Sequence, residues 1–96
     1  MIKQEELTNR EIEVLALSTF GLTIPVIAKL LVISEYTVKN HFNASYAKLN
    51  VHNRVQAAVK FIKMGFEVAP NEKLSNEYNK AIIELIKSPP KRKPEW

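Results

Sequence analysis

The feature that most constrains the fold is the stretch 23–49, which reads TIPVIAKLLVISEYTVKNHFNASYAKL. Thr23 is a typical helix N-cap residue with Pro25 in the turn that follows, and Ser34 is a second N-cap residue close behind Leu31. A connection this short makes two helices cross at an angle instead of lying side by side, which is the helix-turn-helix arrangement. The stretch therefore predicts one helix at about 24–31 and another at about 35–49.

The predicted helix at 35–49 has a buried side and a polar side. Helical spacing directs Val38, Phe42 and Leu49 inward. The opposite side carries Tyr36, Lys39, Asn40, Asn43 and Ala47. Because lysine can donate to O6 and N7 of guanine, and asparagine can bond N6 and N7 of adenine, this side is suited to reading bases in a major groove. A solvated helix face would have the same spacing, and a lysine can equally hold a phosphate.

Composition limits the classes of protein to which the chain can belong. Its 96 residues suffice for one small domain, cysteine is absent, and no apolar run approaches the ~18 residues that span a bilayer. The amino end lacks the apolar region of a secretory signal, so we expect a cytoplasmic protein that does not enter a membrane. Neither glycine lies in a phosphate-binding loop, and His52 has no partner at metal-ligand spacing. We therefore expect no enzyme activity, no metal and no cofactor.

The distribution of charge favours a polyanionic partner. The net charge is +4 and the isoelectric point is near 9.4. Four glutamates crowd residues 5–13, whereas two lysines and no acid lie between Thr37 and Leu49. A one-sided positive field on the helix with the Lys and Asn stripe indicates double-stranded DNA as the partner.

Three further helices are predicted, and no segment has the alternation of a strand. Thr8 and Glu11 form a capping box before a helix at about 9–20. We expect this helix to bury Ile12, Leu15, Ala16 and either Thr19 or Phe20. A fourth helix begins near Asn53, with His52 or Asn53 as its N-cap, and ends at Gly65. Its apolar side carries Val55, Ala58, Val59 and Ile62. The chain is therefore predicted to be all-α.

A fifth, amphipathic helix follows a connector at 66–74. It begins after Ser75 and ends before Pro89. The expected packing or dimer surface comprises Tyr78, Ile82, Leu85 and Ile86 of this helix with Val55, Val59 and Ile62 of the fourth. Such side chains would form an adhesive patch if exposed, so we expect burial either within the domain or against a second copy. The tail 89–96 has a basic cluster, Lys91, Arg92 and Lys93, which is either solvated or a clamp on DNA phosphates.

Three segments resemble the DNA-binding domain of LuxR-type regulators, the GerE/NarL group. They read LTNREIEVLAL, GLTIPVIAKLLVISEYTVKNHF and AKLNVHNRVQAAV, and the resemblance covers about residues 6–65. It implies a four-helix LuxR-type helix-turn-helix domain at 1–65, followed by the connector and extra amphipathic helix at 66–88 and the Pro-rich tail at 89–96. In that family the third helix enters the major groove and the fourth forms a two-fold dimer on DNA.

The resemblance also implies which residues contact DNA. The expected base contacts are Lys39, Asn40 and Asn43. The expected contacts to the DNA backbone are Thr23, Ser34, Tyr36, Thr37 and Lys48. Hydroxyls at the start of a helix can donate to a phosphate, aided by the positive end of the helix dipole.

The chain departs from the family in features that bear on DNA binding. Val26 stands where the family usually has glutamate, so Thr23 lacks the partner for a capping box. Ala44 and Ala47 stand where polar or basic residues are common, which reduces the expected number of phosphate contacts. Family members also generally carry a receiver or ligand-sensing domain before this module, and here the sequence starts directly with the module.

Two interior positions have alternative interpretations. Ser45 lies where an aliphatic residue is expected, and a buried hydroxyl without a partner costs roughly 1–3 kcal/mol. Either the large Phe42 fills the space, or Ser45 bonds back to the carbonyl of His41. Arg54 is expected to reach back to a carboxylate of the first helix or to a helix end.

Two functional hypotheses follow. The first is a sequence-specific transcriptional regulator that binds duplex DNA as a homodimer, with helix 35–49 in the major groove. The alternative is an adaptor or anti-activator that binds another regulator or RNA polymerase through the fourth and fifth helices. Selection from random DNA sequences separates them, because an adaptor enriches no sequence.

Overall fold

The computed structural model describes residues 6–88, which form five α-helices and no strand. The helices are α1 (Asn9–Ser18), α2 (Ile24–Leu31), α3 (Glu35–Leu49), α4 (Arg54–Lys63) and α5 (Asn76–Lys87). The predicted all-α fold with a fifth C-terminal helix is confirmed. None of the helices in this range is both long and apolar enough to cross a membrane. Residues 1–5 and 89–96, including the basic cluster of the tail, lie outside the described residues.

Helix α1 lies at the centre of the molecule. It packs against α2, α3 and α4, and Val14–Ser18 are buried as a continuous run. The prediction of one inner stripe was therefore too narrow, because a helix with neighbours on several sides is buried all round. The helix also ends at Ser18 rather than at residue 20. The hydroxyls of Ser18 and Thr19 donate back to the carbonyls of the previous turn, at 2.7 and 2.6 Å, and Gly21 follows with φ 76°.

The two acidic side chains inside α1 connect it to other helices. Glu11 is 4% and Glu13 2% exposed. Glu11 accepts from the backbone of Thr8 at 2.9 Å, which completes the predicted capping box, and from Lys48 Nζ of α3 at 2.8 Å. Glu13 accepts from Arg10 at 2.9 Å and from the backbone N–H and hydroxyl of Ser75 at 2.8 and 2.9 Å. Buried carboxylates need such partners, so these bonds hold α3 and the start of α5 against α1.

Helix α5 packs on its own domain, against α2. Ser75 caps it by accepting from the Tyr78 N–H at 3.1 Å, as predicted. Tyr78 and Ile82 are fully buried, Leu85 is partly buried, and Ile86 remains 51% exposed. Burial, with a smaller effect from the charge of Glu13, raises the pKa of Tyr78 to about 12. Of the two predicted alternatives for the fifth helix, burial within its own domain is therefore correct for the first two turns.

Helix α4 has two apolar faces, and the face that packs into the core is not the predicted one with Val55, Val59 and Ile62. Ala57 and Phe61 are buried, and Phe61 stacks on Phe66 with ring centroids 4.7 Å apart. Val55 is 73% exposed, whereas Val59 and Ile62 are each 50% exposed. Both sets have helical spacing, so the pattern alone could not distinguish the face that meets α1. Of the two candidate caps, Asn53 is the correct one, because its side chain accepts from the Gln56 N–H at 2.9 Å.

Candidate nucleic-acid interface

A three-residue turn sets the angle between α2 and α3. Val32 adopts the left-handed conformation, with φ 57° and ψ 48°, and the N–H of Ile33 donates to the carbonyl of Ala28 at 3.0 Å. Ser34 then caps α3 by accepting from the Thr37 N–H at 3.0 Å. The predicted helix-turn-helix arrangement is therefore present. Val32 is an unusual residue for this turn, since a β-branched side chain rarely adopts positive φ.

Helix α3 presents the predicted polar side to solvent. Its opposite side is buried through Val38, Phe42, Ser45 and Leu49. The outward side consists of Tyr36, Lys39, Asn40, Asn43 and Ala47, all exposed, and we call it the α3 outer face. The structure thus brings the three predicted base-contacting residues together on one accessible surface. That they contact bases stays a prediction.

The amide and ammonium groups of the α3 outer face have no partners among the residues that the structure describes. Among residues 6–88, no hydrogen bond or ion pair engages the side chains of Lys39, Asn40 or Asn43. The nearby hydroxyls of Ser34 and Thr37, in contrast, have an internal partner, because their oxygens lie 2.8 Å apart and form a hydrogen bond with each other. The two amides and the ammonium group can therefore bind an external ligand without breaking an internal bond.

The buried serine of α3 is satisfied by its own helix. Ser45 is fully buried, and its hydroxyl donates to the carbonyl of His41 at 2.6 Å. This is the second of the two alternatives proposed from the sequence. Bonding to the previous turn removes the cost of burying an unpaired hydroxyl.

Thr23 occupies the N-cap position of α2 but does not cap it with its side chain. Its backbone is extended, with φ −78° and ψ 162°, and no capping hydrogen bond forms. The prediction that Thr23 caps this helix is therefore wrong, because its hydroxyl accepts no hydrogen bond from the first turn. Val26 offers no carboxylate to complete a capping box, so this helix start lacks both reciprocal bonds.

Lys48, which was expected at the DNA backbone, is engaged inside the protein. Its ammonium group lies 2.8 Å from Glu11 Oε1, and its side chain is only 17% exposed. Burial by itself raises the pKa of Glu11, but the hydrogen bonds from Lys48 and Thr8 and the positive charges of Lys48 and His41 outweigh it. The pKa of Glu11 is therefore lower than its ordinary value. The contact of Lys48 with DNA stays a prediction, and it competes with this ion pair.

Two basic side chains that the interface does not use fasten helix ends. Arg54 donates to the carbonyl of Ser18 at 3.1 Å and to that of Leu22, and its guanidinium lies 5.9 Å from the ring centre of Phe42. Arg54 was expected to bind either a carboxylate of the first helix or a helix end, and the helix end is correct. Lys60 Nζ donates to the Leu49 carbonyl at 2.6 Å, a contact that the sequence analysis missed. The bonds to Ser18 and Leu49 satisfy the last carbonyl of α1 and the last carbonyl of α3.

Apolar side chains on α4 form a second exposed surface. Its members are Val55, Val59, Ile62 and Met64, between 46% and 73% exposed, and we call it the α4 outer face. The residues that the structure describes contain no group of three histidine, aspartate or glutamate side chains placed to hold a metal ion.

Comparison with protein families gives one match that covers most of the helices. The model described as bacterial regulatory proteins, luxR family, matches residues 5–61, which include α1 to α3 and most of α4. No solved structure gives a significant match.

Individual curated proteins match the same region. The chain is 50% identical over 60 residues to the transcriptional regulatory protein DegU of Brevibacillus brevis, covering 62% of this chain and 25% of DegU. It is 46% identical over 59 residues to the spore germination protein GerE of Bacillus subtilis, covering 62% of this chain and 80% of GerE. With the nitrate/nitrite response regulator protein NarP of Escherichia coli it shares 46% identity over 57 residues, 59% of this chain and 26% of NarP.

The relatives differ in how much of their length this chain spans. It matches about a quarter of DegU and NarP but most of GerE.

Proposed function

Because the chain belongs to the LuxR family of bacterial regulatory proteins, we propose that it regulates transcription by binding duplex DNA in the cytoplasm. In this proposal α3 enters the major groove with its outer face against the bases. The observation that supports it most directly is that Lys39, Asn40 and Asn43 are exposed together and form no bond with any other residue in 6–88. They lie opposite the buried side of the same helix.

The DNA backbone is held around this helix. Ser34 and Thr37 lie at the amino end of α3, where backbone N–H groups and the helix dipole favour a phosphate. Tyr36 is 73% exposed in the same turn and can donate its phenol hydroxyl. The hydroxyl of Thr23 is free of any capping bond and is the fourth donor. Lys48 joins them only by leaving Glu11.

A homodimer is part of the proposal. A single small module buries limited DNA surface, and two-fold dimers on pseudo-palindromic sites are the usual solution. The α4 outer face is apolar, exposed and separate from α3's outer face, so it is the surface proposed for the contact between copies. Isologous contact of this face with itself matches the two-fold symmetry of such a DNA site.

The test of DNA reading is selection of a duplex from random sequences with the full chain, followed by titration of the selected site. Lys39→Ala and Asn43→Ala should each weaken binding by about tenfold. Lys80→Ala and Asn76→Ala are the matched controls, because both residues are exposed on α5, and they should leave the affinity unchanged. Equal affinity of all four variants would contradict the proposed reading face, provided that circular dichroism shows them folded.

The test of the dimer is sedimentation with and without the selected duplex. Val59→Asp introduces a charge into the α4 outer face at a residue that is 50% exposed, so the fold tolerates it. We expect one copy per duplex for this variant and two for the parent protein. Ile86→Asp, at an apolar residue of equal exposure on α5, is the control. Two copies of Val59→Asp on the duplex would contradict this interface.

One observation favours the alternative function as an adaptor or anti-activator. Helices α2 and α5 border a groove with an apolar lining from Leu30, Val32, Ala81 and Leu85, and α5 lies beyond the part of the chain that the family model matches. Another regulator or RNA polymerase is the partner class for that function. A selection that enriches no sequence, combined with binding to such a partner, would favour it over DNA reading.

A further inference from the structure

We propose that each half of the DNA site has an A·T-rich core flanked by one guanine, because the α3 outer face carries two amides and a methyl group beside the ammonium group of Lys39. This inference rests on the proposed function and specifies its ligand. It follows from the donors and acceptors that the exposed side chains present.

The two amides define the adenine positions. Asn40 and Asn43 are adjacent on the α3 outer face, both exposed, and neither side chain is hydrogen-bonded to another described residue. An amide offers one donor and one acceptor, which match N7 and the N6 amino group of adenine. The major-groove edge of guanine presents two acceptors, N7 and O6. If the amide NH2 donates to N7, the amide oxygen faces O6, and no hydrogen bond can form between these two acceptors. Each amide therefore selects adenine over guanine.

The ends of the outer face define the flanking positions. Lys39 has three donors and no acceptor, so it fits the paired acceptors O6 and N7 of guanine. Ala47, one helical turn after Asn43 and also exposed, offers a methyl group that packs against the C5-methyl of thymine. The order along α3 is thus one guanine contact, then two adenine contacts, then one thymine contact.

Helix geometry limits the length of this core. A rise of about 1.5 Å per residue separates Lys39 from Ala47 by roughly 12 Å. Base pairs are spaced by about 3.4 Å, so the outer face spans roughly four of them. Asn40 lies close to Lys39 along the axis, whereas Asn43 and Ala47 follow at intervals of between one and two base pairs.

The charge of the helix makes hydrogen bonding decisive for specificity. Lys48 is paired with Glu11, and Lys39 is the remaining lysine between Thr37 and Leu49. Counterion release does not distinguish one DNA sequence from another. Discrimination between sites therefore depends on the contacts that Lys39, the two amides and the methyl group make with base edges.

The experiment uses the full chain and the half-site obtained from random selection. We expect two A·T pairs at the centre of the half-site, with a guanine next to them. Replacing single adenines by 7-deazaadenine removes the N7 acceptor and should weaken binding by about 5- to 100-fold at the two amide positions. The same replacement at an adenine outside the half-site is the control.

A variant then assigns each position to its side chain. Asn43→Ala should abolish the effect of 7-deazaadenine at one position and retain it at the other, whereas Asn43→Lys should change the preferred base there from adenine to guanine. Asn76→Ala, at an exposed asparagine of α5, should retain both effects.

The outcomes separate this inference from the proposed function. A selected half-site with a G·C core, or 7-deazaadenine effects that are unchanged in Asn43→Ala, would overturn the inference and leave DNA reading intact. Failure to enrich any sequence would overturn both.

Discussion

At the scale of single residues, the least usual position is Val32 in the turn before α3. It is 76% exposed and has φ 57°, so its side chain contributes little packing while its backbone occupies a conformation that β-branched residues avoid. The turn after α3 also requires a residue with positive φ, and there it is Asn50, with φ 55°. Asparagine tolerates this conformation much better than valine.

Val32→Asn should therefore stabilise the protein. We expect the free energy of unfolding to rise by about 1 kcal/mol, because the backbone strain is relieved and no contact is lost. Urea denaturation measures the change. Val55→Asn is the control, since Val55 has nearly the same exposure but lies in a helix. A variant Val32→Asn no more stable than the parent would show that the turn is unstrained.

The ion pair between Lys48 and Glu11 gives a prediction on pH. Since the pKa of Glu11 is lower in the folded protein than its ordinary value of 4.5, its contribution is fully present above that value. It is lost as the pH falls through the lower, folded pKa. The free energy of unfolding should therefore decrease on acidification below about pH 4.5, and less steeply in Lys48→Met. Parallel curves for the two proteins between pH 5 and pH 2 would contradict this assignment.

At the scale of elements, α5 is held by a polar contact at its start and an apolar one along its length. Glu13 accepts both bonds from Ser75, and Tyr78 and Ile82 fill the space beside α2. The polar contact is specific because it fixes the first turn of α5 against one residue of α1. It joins residues 62 positions apart, so no local pattern in the sequence could reveal it.

Glu13→Ala should loosen α5. We expect a loss of about 2–4 kcal/mol in the free energy of unfolding, because Ser75 loses its acceptor and a buried cavity remains. Hydrogen exchange should accelerate most in the amides of α5. Glu77→Ala removes an exposed acid from the first turn of the same helix and should cost less than about 1 kcal/mol, the usual value for a helix-dipole interaction. Equal losses for the two variants would contradict a specific role for Glu13.

At the scale of the whole molecule, the sequence predicted what short-range interactions determine. The caps at Thr8, Ser34 and Ser75 were correct, and Asn53 was one of two candidates for its helix. Each of the four side chains accepts from an N–H three residues later. Partners distant in the chain were predicted only in part. Arg54 was assigned a helix end as one of two options, whereas the bonds of Lys60 and Glu13 and the buried face of α4 depend on how whole helices pack.

The central position of α1 also affects how the molecule comes apart. Its run from Val14 to Ser18 has no solvent-facing side, and its two glutamates are bonded to α3 and to the start of α5. No single neighbour can leave without exposing apolar surface or an unpaired carboxylate. The amides of this helix should therefore exchange only through global, cooperative opening of the domain, while the last turn of α5, where Ile86 faces water, opens by local fraying.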